Sequence, residues 1–258
     1  MTVLLIGCGR MGGALARSWV GGQEVLVFDP HAALPPGATR VEHIEAATLP
    51  EDLVVVLAVK PQMLGVVLPM LRPLAERGGL FLSVVAGAGL QRLGRDLGGT
   101  GRIIRSMPNT PAAIGRGITA AVAGAAVTES DRALADALLR AAGEVVWLDV
   151  EADLDLVTAV SGSGPAYFFR FAEALAAAGV AAGLSPEIAM RLARATFTGS
   201  AGLADARPES LAELRVEVTS PGGTTAAGLA QLDANGAIDR LAAATVAAAA
   251  ARSRALGA

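Results

Sequence analysis

Val3-Leu4-Leu5-Ile6-Gly7-Cys8-Gly9-Arg10-Met11-Gly12 is a short apolar run that meets three glycines spaced as GxGxxG. Gly13 to Val20 follows with helical spacing, and Glu24-Val25-Leu26-Val27-Phe28-Asp29 is a second strand candidate ending in an acid. Strand, glycine turn, helix and strand with a terminal carboxylate are the parts of a dinucleotide-binding βαβ unit. In that unit Gly7, Gly9 and Gly12 allow the tight turn and the close approach of a pyrophosphate, with Arg10 and Met11 between them. Asp29 stands 17 residues beyond Gly12, near the spacing of a ribose-binding acid. The bland alternative is a strand-to-helix turn with no ligand. Cys8, between two glycines, reads as a small filler rather than a reactive thiol.

The run Leu53 to Val59 is apolar without alternation, as expected of a strand covered on both faces of a parallel sheet. Gly79 to Val85 and Arg102 to Met107 repeat the pattern. Each is followed by small or polar residues: Ala58-Val59-Lys60-Pro61, then Ala86-Gly87, then Pro108-Asn109. Ligands of open α/β sheets bind outside the C-terminal ends of the strands, so these segments are candidates to surround a nicotinamide. Each is otherwise an ordinary loop. Gly117 to Ala123 and Glu144 to Leu148, flanking a helix over 129–142, complete the sheet. From Glu151 onward only helical spacing appears, with helices expected over 151–160, 165–183, 186–205, 209–217, 222–233 and 236–256. The fold class is therefore α/β: a Rossmann-like dinucleotide-binding domain over 1–150 and an all-helical domain over 151–258.

Composition narrows the function classes. A net charge of −3 gives no electrostatic case for nucleic acid or an anionic membrane surface. The longest apolar runs fall short of the roughly 20 residues a membrane helix requires. Met1 to Ile6 has no basic leader, so a reducing cytoplasm is the expected compartment. One cysteine and two histidines, the latter both near the start, suggest neither a disulfide nor a metal site. Aromatics are only 3%, so alanine, leucine, valine and glycine must build the core, which requires closely packed backbones. The last helix, with Leu241 to Val246 followed by five alanines, is apolar nearly all round and is expected to be buried, either in a partner subunit or in its own domain.

Thr219-Ser220-Pro221-Gly222-Gly223-Thr224-Thr225 is the most suggestive stretch of the helical half. Ser220 reads as an N-cap, Pro221 as a first-turn residue, and Gly222 and Gly223 let a ligand approach the backbone. A helix N-terminus attracts anions, and Thr224 and Thr225 add hydroxyls one turn in, suited to a small carboxylated substrate. An ordinary capped helix start is the competing interpretation. Ser161-Gly162-Ser163-Gly164-Pro165 interrupts two helical runs, as a kink or as a crossing where only glycine fits.

In order, Gly7 to Gly12, Ala58 to Gln62, Met107 to Pro111, Val157 to Tyr167 and Val218 to Thr225 resemble the pyrroline-5-carboxylate reductases along essentially the whole chain. The last two blocks are specific to that family. The resemblance implies NAD(P)H-dependent reduction of 1-pyrroline-5-carboxylate to L-proline, the last step of proline biosynthesis. It implies a homodimer with interlocked helical domains, often built into a pentamer of dimers, whose substrate site draws on the Rossmann domain of one subunit and helices of both. It implies that Ser220, Gly222, Gly223, Thr224 and Thr225 hold the substrate, with Thr225 on the ring nitrogen. By the same likeness Ala58, Val59, Lys60, Pro61, Ala86, Gly87 and Asn109 surround the nicotinamide. Lys60 is the only lysine in the chain.

Two other functions remain compatible with the residues. A hydroxyacid dehydrogenase of the same two-domain plan needs a general acid, yet 151–258 contains no lysine, histidine or cysteine, leaving only Tyr167. A non-catalytic nucleotide- or proline-binding module needs no paired hydroxyls at 224 and 225. Between NADPH and NADH, a carboxylate at Asp29 leans toward NADH, although His31 and Arg40 stand close enough in sequence to meet a 2′-phosphate. Thr39 to Ala47 lacks the asparagine that several relatives place near the adenosine ribose.

Overall fold

Four consecutive apolar residues, Val54–Leu57, are all buried, which a strand achieves only when helices cover both faces of its sheet. The computed structural model describes residues 1–44, 49–50 and 53–257. Part of Thr39 to Ala47, residues 45–47, therefore lies outside the described residues.

The strands are β1 (Thr2–Ile6), β2 (Glu24–Phe28), β3 (Thr39–Arg40), β4 (Val54–Leu57), β5 (Leu80–Ser83), β6 (Ile103–Met107), β7 (Gly117–Ala123) and β8 (Gly143–Trp147). They form one sheet in the order β3-β2-β1-β4-β5-β6-β7-β8. From β3 to β6 all neighbours run parallel; β7 is antiparallel to β6, and β8 parallel to β7. The chain winds outward from β1 in one direction and restarts at β4 in the other. That reversal opens a crevice between the C-terminal ends of β1 and β4.

Helices α1 (Arg10–Trp19), α2 (Leu64–Glu76), α3 (Leu90–Asp96) and α4 (Glu129–Arg140) cover the sheet. Successive strand residues point to opposite faces. Val3, Leu5, Val54 and Val56 accordingly pack with Leu15 and Trp19 of α1 and Leu138 and Leu139 of α4. Leu4, Ile6, Val55 and Leu57 pack on the other face with Leu64, Leu68 and Leu71 of α2 and Leu93 of α3. The Trp19 indole N–H donates to the Leu138 carbonyl at 2.8 Å, tying α1 to α4. Neither α2 nor α3 was expected from the sequence. Two internal prolines, Pro69 and Pro73, obscure α2, but its buried stripe through Leu64, Val67, Leu68, Leu71 and Leu74 outweighs the interruptions.

By contacts the chain divides into Met1–Ser163 with Ala248–Ala258, and Gly164–Ala247. The change from strands to helices at 150/151 is thus not where packing against the sheet stops. In α5 (Asp153–Val157), Leu154 is fully buried beside Met107, Ala120 and Val122. The Ser253 hydroxyl, near the C-terminus, donates to the Asp155 carboxylate at 2.6 Å. The second unit holds α6 (Gly164–Ala181), α7 (Pro186–Ala206), α8 (Leu211–Glu217), α9 (Thr224–Leu232) and the first part of α10 (Ala237–Gly257). Its buried apolar cluster consists of Ala176, Ala189 and Ala193. Phe168, Phe169, Leu192 and Leu241 are each more than half exposed. No helix among the described residues is long and apolar enough to cross a membrane.

The start of α4 carries a two-pronged ion pair. Thr128 and Asp131 form a reciprocal cap, and Arg102 donates to both Asp131 oxygens, at 3.0 and 2.6 Å. These Arg102 hydrogen bonds, with burial opposing them and Thr128 adding to them, lower the Asp131 carboxyl from 3.8 to about 2. Asp131→Asn should cost about 2–3 kcal/mol of stability near neutral pH, since it leaves Arg102 without its charge partner and weakens a cap. A depressed carboxyl contributes stability above its unfolded pKa and loses it as pH falls through the folded value. The gap between wild type and variant in urea denaturation should therefore be full at neutral pH and shrink as pH drops from about 4 toward about 2.

Candidate active site

β1 delivers the chain to Gly7, whose φ of 91° lies where only glycine is at ease. The Gly7 N–H donates to the Phe28 carbonyl at 3.0 Å, joining the turn to the end of β2. A Cβ at Gly12 would lie 2.2 Å from the Gly7 carbonyl oxygen and 3.1 Å from the Ala58 Cβ, so α1 sits hard against both strand ends. Gly9, the N-cap of α1, is different. It has no side-chain cap, and an added Cβ there would meet nothing within 4 Å. Gly9 and Arg10 are exposed while Met11 is half-buried. The first-turn N–H groups thus open onto an unobstructed cradle, the arrangement that takes a pyrophosphate. By this measure the residues fit a dinucleotide.

Asp29 ends β2 with both carboxylate oxygens engaged. Oδ2 accepts from the Cys8 N–H at 2.8 Å, and Oδ1 from the N–H groups of His31 and Ala32, each at 3.0 Å. Burial pushes its pKa up, but the three backbone donors outweigh that and hold it below the usual carboxylate range, so it is ionised. Cys8 is buried, and its thiol is pushed up by burial first and by the Asp29 charge second, as suits a filler rather than a nucleophile. The Arg40 guanidinium, expected to be within reach of a phosphate, donates to the Asp29 carbonyl and, at 2.7 Å, to the Ala32 carbonyl. Arg40 projects from β3, which is only two residues long.

Three loops follow adjacent strands to the same edge. Ala58, whose N–H donates to the Ile6 carbonyl at 2.8 Å, and Val59 are half-buried after β4. Lys60 is exposed and precedes the 3₁₀ turn Pro61–Met63. Ala86 and Gly87 follow β5, with Gly87 at φ 74°. Asn109 follows β6 and is buried, its side-chain carbonyl accepting from the Ile118 N–H at 2.9 Å. One lone pair of that oxygen is thereby used, and the amide NH₂ remains with donors to offer. The first unit thus brings its sequence-derived cofactor residues together along one sheet edge.

In the second unit the expectation for Ser220 needs correcting. The N-cap of α9 is Gly223, not Ser220, and it makes no side-chain cap bond. Ser220 instead opens a turn in which its carbonyl accepts from the Gly223 N–H at 3.0 Å, with Pro221 second and Gly222 at φ 69° third. Proline followed by a positive-φ glycine is the type II turn pattern, which outcompetes a one-residue cap. A Cβ at Gly223 would lie 2.4 Å from the Ser220 hydroxyl, which can rotate away, and 3.1 Å from the Ser220 carbonyl oxygen, so a side chain there crowds the turn. Thr224 and Thr225 are exposed in the uncapped first turn of α9. The interruption at Ser161 to Pro165 is a π-helical turn over Thr158–Gly162 that continues α5, and a Cβ at Gly162 would lie 3.8 Å from Met107.

Comparison with known proteins places these features in a lineage. Residues 151–256 match a family model described as pyrroline-5-carboxylate reductase dimerisation, and residues 2–87 match one described as NADP oxidoreductase coenzyme F420-dependent. The chain is 40% identical over 243 residues to pyrroline-5-carboxylate reductase of Pseudomonas aeruginosa, covering 91% of this chain and 89% of that one. The chain belongs to the pyrroline-5-carboxylate reductase family. The Coxiella burnetii pyrroline-5-carboxylate reductase structure superposes with a TM-score of 0.90 at 32% identity, over 99% of this chain and 98% of that one. The Plasmodium falciparum pyrroline carboxylate reductase, solved with NADP bound, gives 0.82 at 30% identity over 100% of both. As a pyrroline-5-carboxylate reductase, the chain is an oxidoreductase of a nicotinamide cofactor.

Gly12→Ala tests the close approach. Its Cβ meets main chain rather than a movable side-chain tip, so α1 must shift away from β1. The variant should lose about 1–3 kcal/mol of stability and bind NADH at least roughly tenfold more weakly, as read by thermal denaturation and calorimetric titration.

Proposed function

We propose that the chain binds 1-pyrroline-5-carboxylate through the turn and helix start at Ser220, Gly222, Gly223, Thr224 and Thr225, and the nicotinamide cofactor along the edge from Gly7 to Asn109. The observation that carries the substrate assignment is the uncapped start of α9, with two exposed threonine hydroxyls in its first turn. Unpaired N–H groups there offer partial positive charge to the substrate carboxylate. The Thr225 hydroxyl hydrogen-bonds the ring nitrogen and fixes the face of the C=N bond presented for reduction. The bound cofactor supplies a hydride to the imine carbon. An imine is basic enough to take its proton from water, so positioning contributes more than a strong acid. That agrees with the absence of lysine, histidine and cysteine from 151–258. The hydroxyacid dehydrogenase alternative would have to rely on Tyr167, which is half-buried.

In this reading residues 1–150 hold the nucleotide and 151–258 hold the substrate and the dimer, with the cytoplasm as compartment. The thinly packed second unit, whose phenylalanines and leucines remain exposed, supports a homodimer completed through those helices. A pentamer of dimers is the further assembly, and mass in solution separates the two.

The ionised Asp29 supports NADH over NADPH, because a carboxylate accepts from a ribose 2′-hydroxyl and repels a 2′-phosphate. Steady-state assays following loss of reduced-cofactor absorbance should give kcat/KM for NADH at least equal to that for NADPH. A clear NADPH preference overturns that choice. In the same assay Thr225→Ala should lower kcat/KM for pyrroline-5-carboxylate by roughly 10- to 100-fold with the cofactor KM unchanged. A variant as fast as wild type removes Thr225 from the chemistry.

A further inference from the structure

Asp29 does more in this structure than mark the end of β2. Its two oxygens face different stretches of chain: Oδ1 grips the N–H groups of His31 and Ala32, and Oδ2 reaches back 21 residues to the N–H of Cys8. Arg40, at the end of β3, takes the carbonyls of Asp29 and Ala32. The segment after β2 is therefore held by its N–H groups from the carboxylate and by its carbonyls from the guanidinium. The glycine-rich loop, already joined to the end of β2 by the Gly7 N–H on the Phe28 carbonyl, is fastened to that clamped segment by the Cys8 N–H on Asp29 Oδ2. This loop needs fastening, since Gly7 and Gly9 flank Cys8 and glycine loses the most conformational freedom on ordering. Three donors on one carboxylate use part of its capacity, and Oδ2 still has a lone pair for a ribose hydroxyl.

We propose that Asp29 is a positioning residue for the glycine-rich loop, so that its carboxylate is required for binding NADH and NADPH alike. This inference rests on Gly7 to Gly12 being the cofactor seat. It departs from the view of the acid as a charge that merely selects between the two cofactors. On that view, replacing Asp29 with a small hydroxyl residue trades one cofactor for the other. With the carboxylate fastening the loop, the same replacement weakens both. A serine hydroxyl can still meet the nearby His31 and Ala32 amides but falls short of Cys8. An asparagine turns its NH₂ toward one of the two sets of N–H groups, donor against donor.

The test uses full-length wild type, Asp29→Asn and Asp29→Ser. Dissociation constants for NADH and NADPH are measured by titration calorimetry, cofactor KM and kcat by steady-state assay, and exchange of the Cys8 amide by NMR in cofactor-free protein. Both dissociation constants should rise, that for NADH by about tenfold or more, the scale of one lost hydrogen bond to a charged group, and that for NADPH by less, because its 2′-phosphate is also relieved of the carboxylate's repulsion. The kinetic loss should fall in KM rather than kcat, and the Cys8 amide should exchange faster. Tighter NADPH binding by Asp29→Ser, or unchanged Cys8 exchange, overturns the proposal. Wild-type protein that binds neither cofactor instead refutes the seat itself, while Cys8 exchange still reports on the fastening. Should the Asp29 variants not fold, Arg40→Gln loosens the clamped segment with the carboxylate intact. Both dissociation constants should then rise several-fold, and unchanged values overturn the proposal.

Discussion

The carbonyl oxygen of Gly7 occupies the space where a side chain at position 12 would lie. That contact fixes how near α1 comes to β1, and much of the nucleotide half depends on it. With α1 in place, its buried face through Leu15 and Trp19 covers one side of the sheet and reaches α4 through the indole bond to Leu138. Its first turn is left facing the crevice between β1 and β4, where the direction of winding reverses. The close approach at one glycine thus connects the packing of the sheet to the opening proposed for a pyrophosphate.

Charge at this edge is arranged by the backbone as much as by side chains. Burial works against the Asp29 carboxylate, but the three amide groups that point at it, with the His31 charge adding to them, hold its pKa below the usual carboxylate range. Arg40 stabilises the opposite pole of the same loop by collecting its carbonyls. The outcome is a fixed anion bonded to Cys8, the residue before the N-cap of an uncapped helix, so that two opposite electrostatic features stand side by side. A dinucleotide, with a neutral ribose hydroxyl and a charged pyrophosphate, is complementary to both.

The nucleotide half was largely legible in the sequence, since buried parallel strands write themselves as unbroken runs such as Val54–Leu57 and the glycine spacing marks the turn. Elements that escaped were those whose signals are short or masked. β3 has two residues, α2 contains two prolines, and the reversal of β7 depends on pairing partners that no local pattern encodes. Ser220 misled because serine before proline suits both a cap and a turn, and the choice turned on Gly222 adopting positive φ. The residues expected around the cofactor occupy one edge because parallel strands deliver their C-terminal loops there. The clamp by Arg40 was hidden because side-chain bonds to carbonyls leave no compositional trace.

The second unit contains little core of its own beyond three alanines, while Phe168, Phe169, Phe171 and Leu175 of α6 stand half or more exposed. A newly made protomer therefore spends its first moments with an adhesive flank. Synthesis rate, local concentration and chaperone capacity then set how much of it matures rather than clumps.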